Sequence, residues 1–379
     1  MQAIALKLCA IIWLHTRLSH SFSNGVNTMR SVATLGLKTR HVCKYVLITL
    51  ALLLCSLWLS MALWIQQPLP SAINIGMIVV WLLVSVLTLC SGLKKQQPYR
   101  LRLWITYLIL FALGLLWYFN IPAKQDRVWA PEVAQQLRYE RSGNTITLHN
   151  VRNFNWHTES RYDERWETRH YDLSQITGVN VLTSYWMGPQ IAHTLVSFDF
   201  KNQAPLVFSI EIRKEKNEQF SAIGGFFRQF ELSLIAADEH DIVYTRSNVR
   251  GEQVYFFPIS HLSQQEMQAL FLAYLQQADA LRTRPSWYNT LSSNCTTLVY
   301  DMAKSISRTK LPLDYRLLAS GYLPNYLYDL QALSPQWDMQ TWYRQAHVNP
   351  RVNTYSTLSS ADYSRLIRQG LPVALPAQP

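Results

Sequence analysis

Three side chains of this 379-residue sequence have the types and contexts of a nucleophilic site: Cys295, His193 and Glu211. The thiol lies in Ser293-Asn294-Cys295-Thr296-Thr297, where a polar loop gives way to Leu298, Val299, Met302 and Ile306 at helical spacing. That spacing predicts a helix that begins at or beside Cys295, runs to about Ser307 and takes Asn294 as its N-cap. A cysteine in a first helical turn meets unpaired backbone N–H groups and the positive end of the helix dipole, which favour thiolate and lower the thiol pKa. The same N–H groups, together with the Asn294 side chain, could hold an oxyanion. A small buried hydrophobe is the plain alternative for any one cysteine.

His193 and Glu211 lie in two β-rich runs, 191–200 and 206–213, joined by Lys201-Asn202-Gln203-Ala204-Pro205 as a hairpin loop. If the register centres on that loop, the numbers of opposed residues sum to about 404 to 406, and His193 falls opposite Glu211 or one pair diagonal to it. An even sum puts both on one face. A carboxylate there fixes the imidazole tautomer and stabilises its charged form. An exposed His and Glu pair on a solvated hairpin face is the other reading of these two strands.

The elements that must position these groups are unevenly distributed along the chain. Residues 1–124 hold eleven of the 35 Lys and Arg and no Asp or Glu, so the remaining 24 basic residues balance the 24 acidic ones. The net charge of +11 therefore belongs to the first third and does not indicate a nucleic-acid partner. Three apolar runs there, 45–65, 72–93 and 103–121, are each long enough to cross a bilayer, which takes about 20 residues. Lys38, Arg40 and Lys44 precede the first run and Lys94, Lys95, Arg100 and Arg102 fill the second turn, which puts both in the cytoplasm by the positive-inside rule. Everything after Ile121 is then expected outside, in the periplasm where there is one. Residues 1–14 are apolar but too short to span; Met29 as the true start is an equal alternative to a functional segment. Of five cysteines only Cys295 lies in the neutral part, so a disulfide within it is excluded, and a metal site there would have to be built without a Cys pair.

The expected organisation is a basic N-terminus over 1–44, three transmembrane helices within 45–121, an outer domain over 126–333 and an extension over 334–379. Within the outer part the pattern predicts a short helix over 130–138, a strand over 145–149 and an irregular aromatic stretch over 153–173. Further strands are expected over 241–247 and 253–258, an amphipathic helix over 261–281, a short helix from Tyr322 and a tail loosely packed near its end. Arg228, Glu231, Asp238, Glu239 and Arg246 read as structural ion pairs.

The order His193, Glu211, Cys295 resembles the circularly permuted papain-like (NlpC-type) fold. More closely, Arg152-Asn153-Phe154, Arg165-Trp166-Glu167-Thr168-Arg169, Tyr171-Asp172-Leu173, Ala192-His193-Thr194, Ser209-Ile210-Glu211-Ile212-Arg213 and Ser293-Asn294-Cys295-Thr296-Thr297 resemble the Lnb N-terminal periplasmic domain family, over about 126–330. The resemblance implies an α+β architecture, transmembrane helices followed by a papain-like domain with an antiparallel sheet and a cysteine-bearing helix. It also implies phospholipid-to-lipoprotein N-acyl transfer through a Cys295 thioester, with His193 as base, Glu211 orienting it and Asn294 in an oxyanion or positioning role. Membrane phospholipid would be the donor and a lipoprotein, or another amine or hydroxyl, the acceptor; no metal or cofactor is called for. One departure is that the family's membrane spans follow the periplasmic domain, whereas here they precede it. Two other functions fit the same residues: a murein peptidase or amidase, and a non-enzymatic membrane sensor.

Overall fold

The computed structural model describes residues 27–93, 98–353 and 358–377; the expectation for residues 1–14 lies outside them. Contacts divide the chain into two units, residues 1–119 and 120–379.

In the first unit, uncharged apolar runs form three helices: α1 (Asn27–Gln66), α2 (Ser71–Leu93) and α3 (Arg100–Phe119). Their apolar stretches, Val42–Gln66, Ser71–Gly92 and Arg100–Phe119, fit the three expected spans within a few residues. Side chains such as Leu57, Leu83 and Leu116 stay exposed, which suits lipid and not water. The few polar groups bond inward, as a hydrocarbon environment demands. Trp81 donates to the Ser56 carbonyl (3.0 Å), Tyr107 to that of Leu52 (3.1 Å) and Asn74 to that of Leu63 (2.9 Å).

The second unit is built on an eight-stranded sheet: β1 (Arg138–Ser142), β2 (Thr145–Arg152), β5 (Trp166–Asp172), β6 (Ile176–Tyr185), β7 (Ala192–Phe200), β8 (Leu206–Arg213), β9 (Glu231–Ala237) and β10 (Gln253–Pro258). A separate two-stranded ribbon pairs β3 (Asn155–Trp156) with β4 (Tyr162–Asp163). The order is β1-β2-β9-β8-β7-β6-β10, with β5 also on β2, and every pairing is antiparallel except a single parallel contact between β2 and β9. Strand alternation sends Val196, Phe198, Phe208, Ile210 and Leu234 to one face, where the helix Gln264–Thr283 (α5) covers them with Leu270, Phe271, Tyr274 and Leu275. Leu195, Val207, Ile235 and Phe256 point to the other face, under Ile242, Val243, Val348, Tyr363 and Ile367. With both faces buried, the central strands are apolar nearly throughout.

That double burial explains most departures from the expected elements. β6 and β9 are strands that no alternation reveals, because neither has a solvated face. The stretch 153–173, expected to be irregular, supplies β3, β4 and β5. The helix expected over 130–138 is one short 3-10 turn, Pro131–Val133, followed by β1. The strand expected over 241–247 is instead a helix, α4 (Glu239–Tyr244), continued by a π-turn over Thr245–Val249. Asp238 starts it by accepting from His240 N–H (2.9 Å), and Asp241 within it is a buried hub. Arg152 donates two bonds to the Asp241 carboxylate (2.9 and 3.1 Å), joined by Trp156 Nε1 (2.7 Å) and Phe154 N–H (2.9 Å). The motif Arg152-Asn153-Phe154 is thus an anchor for α4.

The tail is packed through residue 368, and its described end, 371–377, is coil with Val373 exposed. Helices Met339–Gln345 (α8), Asn349–Val352 (α9) and Ser360–Arg368 (α10) follow the short helix Leu323–Asp329 (α7), and Trp342, Val352, Tyr363 and Ile367 are fully buried. Arg368 clamps α10 to β7 through Asp199 (2.5 Å) and to α4 through Glu239 (2.6 Å).

Candidate active site

The β7/β8 ladder runs in the register 404, from Phe198↔Leu206 to Leu195↔Ser209, and then opens. Continued past that point, the register sets His193 directly opposite Glu211, one of the two placements the hairpin arithmetic allowed. β7 stays paired to β6 through Ser184↔His193, and β8 to β9 through Glu211↔Ser233, so each side chain is held by its other neighbour while the two strands part.

The gap is filled from the far face. By alternation His193, Ser209 and Glu211 share the face of Leu195, whereas Cys295 packs with the cluster on the α5 face. Thr296 Oγ1 and Thr194 Oγ1 lie 2.9 Å apart, which ties the cysteine loop to β7 at the fork. There the His193 imidazole and the Thr194 N–H come near enough to the Cys295 sulfur to favour its thiolate, and Thr296 Oγ1 lies 3.9 Å from it. The thiol and the imidazole therefore meet through an opening in the sheet.

The helix after Cys295, α6 (Thr297–Ile306), starts two residues later than expected. Asn294 nevertheless caps the turn: its Oδ1 accepts from Thr296 N–H (2.8 Å) and Thr297 N–H (2.9 Å), while its Nδ2 donates to the Thr290 carbonyl (2.8 Å). Both ends of its side-chain amide are thus committed to shaping this turn. The Cys295 N–H has no acceptor among the described residues.

Around the ring, His193 Nε2 is 2.8 Å from Ser209 Oγ and 3.3 Å from Glu211 Oε1, and Ser209 donates to Glu211 Oε1 at 2.6 Å. Since the serine proton goes to the carboxylate, Ser209 accepts from His193, so Nε2 carries a proton and Nδ1 is left for the thiol. Arg246, on the π-turn, donates to the same Glu211 oxygen at 2.8 Å and approaches Glu252 at 3.9 Å. A π-turn is a common device at functional sites.

Charge follows this geometry. Burial opposes ionisation of His193, but the charges of Glu211 and Cys295 outweigh it and push the imidazole up to about 9. Burial likewise raises the Glu211 carboxyl, yet His193 and Arg246 hold it well below the usual range. For Cys295 burial works against thiolate, and His193, with the Thr194 N–H and the Thr296 hydroxyl, reverses the direction and lowers its pKa. Each group thus favours the charged form of the other, the imidazolium promoting thiolate and the thiolate promoting imidazolium. No cluster of three His, Cys, Asp or Glu suited to a metal stands among the described residues.

All four expected residues thus converge, whereas Ser209, Thr194 and Thr296 were not expected in the site and Arg246 was expected only in structural pairing. Three of the other residues read as ion-paired find partners outside that group: Asp238 pairs with Arg169 (2.8 Å), Glu239 with Arg368 and Glu231 with Arg127 (3.5 Å). Arg228 donates to the Ile121 carbonyl at 3.4 Å. Only the even spacing of Ser209 and Glu211 on one strand face pointed toward the serine.

No curated protein and no solved structure matches this chain. Residues 162–321, which contain His193, Ser209, Glu211, Arg246 and Cys295, match the family model of the Lnb N-terminal periplasmic domain, and the chain carries a domain of that family behind three apolar helices.

Proposed function

We propose that this protein is a membrane-anchored periplasmic acyltransferase that moves an acyl chain from a phospholipid, through a thioester on Cys295, to an amine such as the first residue of a lipoprotein. The observation that carries the reading is the chain of hydrogen bonds from His193 Nε2 through Ser209 to Glu211, with the Cys295 thiol close enough to the same imidazole for each to shift the other's ionisation. That arrangement suits attack on a carbonyl carbon at neutral pH. The thiolate adds to the ester carbonyl, and the oxyanion so formed is met by the Cys295 N–H, which has no other acceptor among the described residues. As the intermediate collapses, the proton on His193 Nδ1 passes to the departing alcohol oxygen, leaving a neutral imidazole and the thioester. The acceptor amine then attacks the thioester, His193 takes the amine proton, and the amide departs as thiolate and imidazolium are restored. Glu211 fixes the ring and Arg246 keeps Glu211 charged.

The donor assignment draws on the chain's order. The second unit begins at Asn120, one residue after α3 ends, so lipid esters are the acyl groups at highest effective concentration. The basic residues before the first span and between the second and third favour an inner-membrane protein with a cytoplasmic N-terminus.

The test is the purified protein in phospholipid vesicles. It should acquire an acyl mass on Cys295 that neutral hydroxylamine removes and Cys295→Ser abolishes. No adduct from vesicles, together with Cys295-dependent cleavage of murein fragments, would replace the acyl-transfer reading with a peptidase.

A further inference from the structure

Of the large apolar side chains left exposed in the second unit, six of eleven among the described residues come from three loops beside the thiol: Trp186, Met187, Phe220, Ile223, Phe226 and Leu291. Met187, Ile223 and Leu291 are each more than half exposed, at 59%, 55% and 54%. Monomer surfaces seldom gather such residues without a partner for them.

The three loops form one surface. Trp186 meets Phe220 edge to face with ring centroids 6.2 Å apart. Thr290 donates its hydroxyl to the Ala222 carbonyl (3.1 Å) and its N–H to that of Gly225 (3.4 Å), which locks the cysteine loop to the 220s loop. Leu291 is four residues before Cys295, and Trp186 is two beyond Ser184, the β6 partner of His193. The surface therefore borders the reactive sulfur.

Its composition selects the partner. Residues 186–192, 219–227 and 285–300 contain no Asp, Glu, Lys or Arg, and charged side chains resume at their ends, with Glu218, Arg228 and Arg284, and beside Trp186, with Arg250 and Glu252. A protein partner is met by an apolar centre with a charged or polar rim, whereas hydrocarbon excludes charge from the whole inserted surface. Trp, Phe, Ile and Leu on an uncharged surface are the types that enter the headgroup and acyl boundary. The same chain carries three helices apolar enough to lie in a bilayer, so lipid is at hand.

We infer that these loops are a lipid-inserting rim, through which an acyl chain passes from the bilayer to Cys295 without crossing water. The inference rests on the acyl-transfer reading for its purpose, but its test does not. In the full-length protein all five cysteines are replaced, and single cysteines are introduced by Met187→Cys, Ile223→Cys or Leu291→Cys, each labelled with an environment-sensitive fluorophore in phosphatidylethanolamine and phosphatidylglycerol vesicles. Glu140→Cys, on the edge strand β1 at the end of the sheet order, is the control. Nitroxides on the acyl chains should quench the rim labels about threefold more than the control, and aqueous iodide correspondingly less, as expected for side chains within the interface. Three independent positions guard against misfolding of any one variant. Rim labels as open to iodide as the control overturn the inference. Because these proteins lack the Cys295 thiol, acyl transfer does not enter the readout: shielded labels with no thioester on the wild-type protein would sink the acyl-transfer reading and leave the rim standing, and the converse pattern would do the reverse.

Discussion

A carboxylate serves an imidazole only while it stays ionised, and at Glu211 that condition depends on His193 first and on Arg246 after it. The consequence reaches the thiol. His193 stays protonated up to about 9, and its charge beside Cys295 lowers the thiol pKa, so thiolate forms at lower pH than in an ordinary cysteine. Iodoacetamide should therefore label Cys295 rapidly at pH 6 to 7. His193→Ala should slow labelling about tenfold there and move its midpoint toward the ~8.5 of an ordinary thiol; a wild-type profile that already tracks an ordinary thiol would refute the ion pair. Stability responds to the two groups with opposite signs. The raised His193 pKa stabilises the fold fully below the ordinary 6.5, and that contribution is lost as pH climbs through about 9. The lowered Cys295 pKa acts oppositely, contributing above the ordinary thiol value and fading as pH falls through the folded one. His193, Glu211 and Cys295 were legible because hairpin register and a lone cysteine are visible in one dimension. Arg246 was not, since its reach to Glu211 depends on a π-turn that looks like an alternating strand.

Among elements, what a sequence reveals depends on having one wet face. The hairpin of β7 and β8 was bounded by its own loop, and α5 showed a clear apolar stripe with a Ser263–Glu266 capping box at its start. β6 and β9, dry on both sides, showed nothing periodic. Close packing of the loops is just as hidden. Gly321 sits where a Cβ would lie 2.1 Å from the Pro189 carbonyl oxygen and 2.8 Å from the Gln190 carbonyl carbon, and its N–H donates to Gln190 O (2.9 Å). Backbone on backbone leaves no rotamer to yield. Gly321→Ala should cost about 1–3 kcal/mol and displace the 186–190 loop, read as a lower urea midpoint and a shifted Trp186 fluorescence. An unchanged midpoint would mean that the loop is softer than this contact implies.

At the scale of the whole chain, charge separates two solvents. Eleven cations and no anion precede Asp126, and the rest of the chain is balanced, so the division between membrane and outer parts was legible from composition alone. A phosphatase fused after Pro379 should be active and one inserted near Gln96 silent; the opposite pattern would invert the topology. The role of the last 46 residues was not legible, because their Trp, Pro and Gln content resembles a loose extension while their helices seal a sheet face made from residues far upstream. Arg368, lodged against Asp199 and Glu239, closes that seal. Synthesis and export run from one end, so β7, β8 and β9 emerge with Leu195, Val207 and Ile235 covered only by Ile242 and Val243 of α4, and the rest of that face stays open until α10 has followed. A chain halted in transit would present that greasy surface to proteases and chaperones, and the thiol's neighbourhood would be assembled only once translocation had run through its final turn of helix.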